Sequence, residues 1–362
     1  MIYGNVFLPE NVVEKKNTDL FVLESIVYNE YTNYSNLLKS CTDDNTRPIL
    51  EAQVKVLYEI SFNDIVEKIK SAWKTFKIKI VRIIDSILES IGSFIKSEKN
   101  KIRYEAFSKK VSMISRKWNF VSKGDESSYD LLNEIKDKVA DHKPLAINVE
   151  YDGNTEKIDE SDMFNLRSKI DSTFKPFMDI YEDYLQEFLT QKENVSTDRV
   201  EKVKKAKGIL LDFKVSVSKE DPKKENLNIE NVKGYINKQV DIYKKICDLR
   251  QEDVRYYNNM TREIKKSINN ISKGVSSLDN ISKSEDGVEV VKTYADHLLL
   301  QMNYLHSFAK KLQIMATAMV GVYEYKLKFA YDLIATTAKI MDKYYDAETD
   351  KSEKTEEGGV TA

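Results

Sequence analysis

Apolar residues recur every seven positions over much of the C-terminal third of the chain. From Ile236 to Leu278, residues spaced by seven, and those four positions after each of them, are apolar or aromatic at eleven of thirteen positions. The exceptions are Arg250 and Thr261. A heptad pattern sustained over about six repeats is typical of a long helix with a coiled-coil-like seam.

A second heptad series follows a polar break at residues 282–287. Its two rows are Val291, Leu298, Leu305, Leu312, Met319, Lys326, Leu333 and Ile340, and Ala295, Met302, Ala309, Ala316, Tyr323, Ala330, Thr337 and Tyr344. The break is too short for anything but a tight connection. The pattern therefore predicts a long antiparallel helical hairpin over residues 228–345, with its turn near residues 282–288.

The N-terminal part of the chain predicts a second, shorter hairpin. Residues 1–17 have no helical period and are predicted to form an extended arm. Residues 18–118 are predicted to form a helical hairpin, whose connection is the cluster of turn-forming residues at 41–46. Pro48 suits the first turn of the second helix, and that helix is predicted to run, with breaks, to about Trp118.

Residues 119–227 show a mixed pattern and are predicted to form a small α+β module. Asp152 and Gly153 lie between alternating apolar residues, which is a signal for a β-hairpin. Residues 211–217 also alternate with strand period. Two helical runs are predicted within the module, at residues 127–141 and 161–192.

Together these patterns predict a mainly α protein, in which long antiparallel helical hairpins form a coiled-coil-like bundle with the small α+β module inserted. The chain has only 11 Gly and 5 Pro among 362 residues, which favours long uninterrupted helices and argues against β-sandwiches and glycine-dependent nucleotide folds. Residues 346–362 are rich in acidic residues and have no apolar period, so we expect a disordered acidic tail.

Charge is distributed unevenly. The chain as a whole has 57 basic and 59 acidic residues, a net charge of −2, but residues 62–118 carry 14 basic and 6 acidic residues. No acidic residue falls between Lys68 and Ile84. The positive charge of this protein is therefore concentrated on the second helix of the N-terminal hairpin.

This helix supplies the candidate binding site. Its basic residues are Lys68, Lys70, Lys74, Lys77, Lys79 and Arg82, and its apolar stripe is Ile69, Trp73, Phe76, Ile80 and Ile83. A basic amphipathic helix with aromatic residues on its apolar side is found at membrane surfaces and in partner grooves. The same pattern fits a bundle helix whose basic face is solvated, and lysine also contacts nucleic-acid phosphates, so three interpretations stay open.

The residues needed for catalysis or metal binding are scarce. The chain has three His and two Cys, and His297 and His306 are nine positions apart, on roughly opposite sides of a helix. The glycines at 208 and 274 fit neither a P-loop nor a dinucleotide fingerprint. We therefore predict no enzyme activity, no catalytic residues, no cofactor and no metal site.

A resemblance can be added from two stretches of the N-terminal part. Residues 23–31 (LESIVYNEY) and residues 70–79 (KSAWKTFKIK) resemble the N-terminal part of helical virion structural proteins of large tailed bacteriophages. The resemblance covers about the first hundred residues. It implies a structural component of the head or tail interior, without catalytic residues.

These observations predict a non-enzymatic structural or assembly protein of a bacteriophage virion. Its expected partners are other protein subunits, through self-association or contact with virion proteins, and an anionic membrane or nucleic acid is the alternative partner for residues 62–118. A membrane-acting helical bundle of the α-pore-forming type and a cytoplasmic coiled-coil scaffold or adaptor are the alternative functions. The sequence has no signal peptide and no apolar run of about 20 residues, so the expected location is the virion or the host cytoplasm.

Overall fold

The computed structural model describes residues 47–96, 98–121, 126–159, 162, 165–221, 226–281 and 288–357. Within these ranges the chain forms seven α-helices and one three-stranded antiparallel sheet. The protein is therefore mainly α with a small inserted β element, as the hydrophobic pattern predicts. The predicted arm at residues 1–17 and the helix expected before the turn at 41–46 lie outside the described residues.

Most elements follow one another closely, and the longest connection is residues 220–231. In chain order the elements are α1 Arg47–Lys96, α2 Glu98–Lys117, a 3₁₀ turn Trp118–Phe120, α3 Glu126–Ala140, β1 Leu145–Tyr151, β2 Asn154–Ile158, α4 Leu166–Gln191, a 3₁₀ turn Lys192–Asn194, α5 Thr197–Asp212, β3 Lys214–Lys219, α6 Val232–Ile281 and α7 Val288–Glu357.

The chain divides into two compact units, which we describe separately. The first contains the described residues within 1–77, 186–195 and 268–302. The second contains the described residues within 78–185, 196–267 and 303–362.

In the first unit, Gly274 allows α6 and α7 to approach closely. A Cβ atom at this position would lie 2.7 Å from Cδ2 of Leu298, closer than side chains pack. The Tyr294 hydroxyl donates a hydrogen bond to the carbonyl of Gly274 at 3.4 Å. Phe188 of α4 packs on Tyr294, with ring centroids 5.0 Å apart. Gly274 is thus a helix-packing residue.

In the second unit, contacts between the long helices show their directions. The Tyr257 hydroxyl of α6 donates to Sδ of Met319 at 3.9 Å, and Asp253, one turn earlier on α6, faces Tyr323, one turn later on α7. Residue numbers therefore fall along α6 as they rise along α7, so the two helices are antiparallel. This agrees with the predicted hairpin, whose turn lies outside the described residues.

Helix α4 also runs antiparallel to α7 in the second unit. Phe174 makes an edge-to-face contact with Phe308, and Tyr181 stacks on Tyr304 with ring centroids 5.3 Å apart. The Tyr304 hydroxyl donates to the carbonyl of Phe177 at 2.7 Å. This bond satisfies a hydroxyl that is buried in the core.

The second half of α1 runs parallel to α7 in the same unit. The Gln313 amide Nε2 donates to the Ser86 hydroxyl at 2.6 Å, and Lys79 lies close enough to His306 to affect its pKa. Beyond the end of α1, Lys117 at the end of α2 pairs with Asp342, which lies farther along α7, at 2.7 Å. Helices α1 and α2 therefore follow α7 in one direction, while α4 and α6 run in the other.

The β-hairpin is confirmed, and the third strand begins later than predicted. Tyr151 pairs with Asn154, so the turn is Asp152 and Gly153, both with positive φ, as the tight hairpin turn requires. The strand expected at residues 211–217 is Lys214–Lys219, because Leu211 is still in helix α5. The first residues of the predicted strand, Leu211 and Asp212, lie in the last turn of α5, and Phe213 connects that helix to β3.

The sheet module is attached to α7 within the second unit. The Lys311 ammonium donates to the carbonyls of Leu211 and Phe213, at 3.3 and 2.6 Å. These bonds satisfy carbonyl groups where the chain leaves α5 and enters β3. Farther along α7, the Tyr325 hydroxyl donates to the Lys143 carbonyl at 2.9 Å. Two separate points of α7 therefore hold the module.

The C-terminal helix is longer than predicted. Helix α7 continues to Glu357, although residues 346–362 were expected to form a disordered tail. After Gly321 in its interior, the helix meets no Gly or Pro before Gly358, so no helix-ending residue falls at the predicted start of the tail. Residues 358–362 lie outside the described part of the chain.

Candidate functional site

The apolar stripe of α1 is mostly buried within the chain. Ile69, Phe76 and Ile80 are buried, and Trp73 and Ile83 are half-buried. The buried row continues at the same spacing beyond the predicted stripe, through Val66 on one side and Ile84, Ile87 and Ile91 on the other. Because this row is packed, α1 is fixed with one side toward the protein interior.

The basic residues of α1 lie on the remaining surface. Lys74, Lys77, Lys79 and Arg82 are exposed, whereas Lys68 and Lys70 are half-buried. Lys70 contacts Glu67 at 3.4 Å. The exposed basic residues therefore share one helix, and the packed stripe holds that helix in place.

These charges do not form a single line. At about 100° per residue, Lys70, Lys74 and Lys77 fall on one side of the exposed arc, and Lys79 and Arg82 fall on the other. Two exposed aliphatic side chains share this arc. Ile78, which is 55% exposed, lies between the two groups, and Val81, which is 42% exposed, lies among Lys70, Lys74 and Lys77. The exposed face thus combines positive charge with apolar area.

Lys79 has a titratable neighbour on α7. His306 is half-buried, and burial lowers the pKa of its imidazole, with smaller effects of the same sign from the charges of Lys79 and Lys310. The neutral form of His306 is therefore favoured, so it does not add to the positive charge of this face near neutral pH.

Two of the three histidines, His142 and His297, pack against aromatic rings. His142 stacks on Phe329 with ring centroids 3.7 Å apart, and His297 is buried with its ring 5.9 Å from that of Phe188. In the described ranges, no group of three His, Cys, Asp or Glu side chains is arranged to hold a metal ion.

The heptad pattern did not identify the buried carboxyl group of Asp253. This residue is 2% exposed, and burial raises the pKa of its carboxyl group to about 6. The positive charge of Arg167 and a hydrogen bond from Tyr323 oppose that rise, while the charge of Glu252 adds to it. Arg167 itself pairs with Glu252 at 2.6 Å. The sequence did indicate this position indirectly. Asp253 lies one helical turn before Tyr257, which belongs to the predicted heptad seam, so both fall on the same side of α6.

Among the described residues, no helix is both long and apolar enough to cross a membrane. Comparison with known proteins gave no matching family model, no similar curated protein and no similar solved structure. The geometry of α1 is therefore the main observation on which a function can be based.

Proposed function

We propose that this protein is a non-enzymatic structural or assembly protein of a bacteriophage particle, which binds an acidic partner through the exposed basic face of α1. The observation that carries this proposal is the division of α1 into two sides. Its apolar residues Ile69, Phe76 and Ile80 are buried in the chain, and its basic residues Lys74, Lys77 and Lys79 are exposed. The apolar side holds the helix in the bundle, and the basic side remains available for binding.

The same observation weighs against the membrane-acting alternative. A helix that inserts into a bilayer surface uses its apolar side, which here is packed in the interior. Lipid insertion would require α1 to separate from the rest of the bundle and expose Phe76 and Ile80 to water on the way. Binding through the basic face requires no such rearrangement.

The placement in a phage particle is supported by the resemblance of residues 23–31 and 70–79 to helical virion proteins. Long helices joined by short connections also suit a protein that gives mechanical support. A cytoplasmic scaffold would use the same architecture, so location separates the two functions.

Quantitative mass spectrometry of purified particles from the phage or prophage that encodes this chain tests the proposal. We expect the protein in the particles at a fixed copy number after washing with high salt and nuclease. Flotation with vesicles of anionic lipid is the parallel measurement. Absence from particles would contradict the proposal, and flotation of the wild-type protein together with that absence would favour the membrane-acting alternative.

A further inference from the structure

Helix α3 carries a row of carboxylates on its exposed surface. Five acidic residues are exposed, and their spacing of four, four, three and four places them on one side of the helix: Glu126, Asp130, Glu134, Asp137 and Asp141. The backbone N–H of Asp141 donates to the carbonyl of Asp137 at 3.0 Å, so Asp141 continues the helical turn. The row is about 22 Å long at 1.5 Å per residue.

The basic face of α1 has a row with the same spacing. Lys70, Lys74, Lys77 and Val81 are separated by four, three and four residues, as are Asp130, Glu134, Asp137 and Asp141. Lys74, Lys77 and Val81 are exposed. We call Lys70, Lys74 and Lys77 the basic row, and the five acidic residues of α3 the acidic row.

Both rows consist largely of exposed charged residues, although Lys70 is half-buried and contacts Glu67. Within the described residues, no ion pair involves Lys74, Lys77 or the five acidic residues of α3. Each row also has exposed apolar area beside it. Ile78 and Val81 lie on α1, and Tyr129, which is 51% exposed, lies on α3. Tyrosine is enriched at protein–protein interfaces, and polar residues form their rim.

We propose that copies of this protein associate with one another, the basic row of one copy docking on the acidic row of the next. This proposal rests on the assembly function proposed above and identifies the partner of the same face. The two surfaces are different, so the contact is heterologous. Such contacts form a ring when the rotation between copies closes, and an open filament when it does not.

A second copy fits this face better than a polyanion does. Nucleic-acid phosphates would pair with Lys74 and Lys77 but would leave the exposed side chains of Ile78 and Val81 without a partner. The exposed carboxylates of α3 would also repel a polyanion, and the chain as a whole has a net charge of −2. The acidic row supplies both complementary charge and, through Tyr129, apolar contact.

The association is expected to depend strongly on salt, because exposed ion pairs are individually weak and are screened over about 10 Å at 0.1 M ionic strength. Sedimentation velocity of the full chain over a range of protein concentrations measures it. At about 0.05 M salt we expect reversible association that rises with concentration, and at about 0.5 M salt we expect the monomer. A wild-type chain that stays monomeric at low salt at the highest soluble concentration would overturn the proposal.

Charge reversal tests which surfaces meet. The basic-row variant carries Lys74→Glu and Lys77→Glu, and the acidic-row variant carries Glu134→Lys and Asp137→Lys. Each change replaces two attractions by repulsions, so each variant alone should need at least about tenfold more protein to associate. An equimolar mixture of the two variants should associate as the wild type does, because each reversed row then meets its complement. The variant with all four changes should behave like the mixture.

A matched control for the basic-row variant keeps its total charge change and moves it elsewhere. Lys238 and Lys244 are exposed on α6, and reversing both to Glu should leave association unchanged. Circular dichroism and the urea midpoint verify that each variant is folded. Loss of association in both single-row variants without recovery in the mixture would overturn the pairing of the two rows. The particle measurement described above is independent of this result, so failure of the docking proposal can be distinguished from failure of the proposed function.

Discussion

Helices α7 and α1 differ in how much of their surface the chain uses for packing. On α7, both predicted heptad rows are buried from Val291 to Ile340, including the one charged member, Lys326. On α1, one narrow row is buried between Val66 and Ile91, and most of the remaining surface is polar or charged. Helix α7 therefore stabilises the fold on several sides, whereas much of the surface of α1 is available for binding.

This difference leads to different expectations for substitutions. On α7, any shortened side chain of the buried rows leaves a cavity between helices that cannot easily collapse. On α1, changes of the exposed residues leave the packing intact and alter only charge. Stability and binding measurements on the same set of variants should therefore separate the two helices.

The largest expected loss of stability is for Phe308→Ala on α7. Phe308 is fully buried and meets Phe174 of α4 edge to face, with ring centroids 5.7 Å apart. We expect the free energy of unfolding to fall by about 3–5 kcal/mol. Urea denaturation followed by circular dichroism measures it. Asn303→Ala, at an exposed position of the same helix, is the control and should stay within about 0.5 kcal/mol.

The next prediction concerns the pH dependence of stability and the buried Asp253. Its carboxyl pKa is raised from 3.8 to about 6 by burial, so the folded state binds the proton more tightly than the unfolded state. Stability due to this group is therefore present below the unfolded pKa and is lost as pH rises toward 6. The loss amounts to about 3 kcal/mol once the pH is above both values.

Asp253→Asn removes this titration. For wild type we expect a decline in urea midpoint between about pH 4 and pH 6, and the variant should lack the part of it that Asp253 causes. Asp248→Asn, an exposed aspartate of the same helix, should keep the wild-type profile. A variant at residue 253 whose stability still falls over this range would show that another group causes the decline.

Asp253 also shows where reasoning from the sequence stopped short. The seven-residue spacing correctly identified α6 and α7 as long helices, because each burial period is set by local helix geometry. It assigned Val254 to the seam, whereas the structure buries Asp253 and leaves Val254 half-buried. Which of two adjacent residues is buried depends on the neighbouring helices, which the pattern of one helix does not specify.

The candidate site shows the same limit. The sequence identified a basic helix with an apolar stripe, and both features are present on α1. It did not separate the exposed Lys74 and Lys77 from the half-buried Lys68 and Lys70, since all four are the same residue type on one helix. It also gave no reason to connect α1 with α3, because the exposure of both rows follows only from the folded chain.

A smaller loss of stability is expected for Trp73→Ala on α1. Trp73 is half-buried and its ring centroid lies 5.7 Å from that of Phe76. A fully buried Trp would lose about 3–5 kcal/mol on truncation, so we expect about 2 kcal/mol here. Urea denaturation measures the change. A variant as stable as wild type would show that this part of the stripe does not contribute to the core, and would call for a test of its binding to lipid vesicles.

The smallest effect on stability, and the largest on binding, is expected for neutralising the basic face. Changing Lys70, Lys74, Lys77 and Lys79 together to Gln removes four positive charges and no buried apolar group. Exposed substitutions usually change stability by no more than about 0.5 kcal/mol each, and the contact of Lys70 with Glu67 is a surface pair of similar size. The urea midpoint should therefore stay close to that of wild type.

Binding to an anionic probe should change much more. Wild type should be retained on immobilised polyglutamate at low salt and elute as the ionic strength rises, because the contact is mainly electrostatic. The four-lysine variant should elute at clearly lower salt, and a variant with Lys238 and Lys244 changed to Gln should elute nearer to wild type. If the four-lysine variant elutes with wild type, the exposed side of α1 is not the binding surface. If instead it unfolds at a much lower urea concentration, these lysines contribute to the stability of the fold. The exposed side of α1 would then be part of the packing, as the buried rows of α7 are.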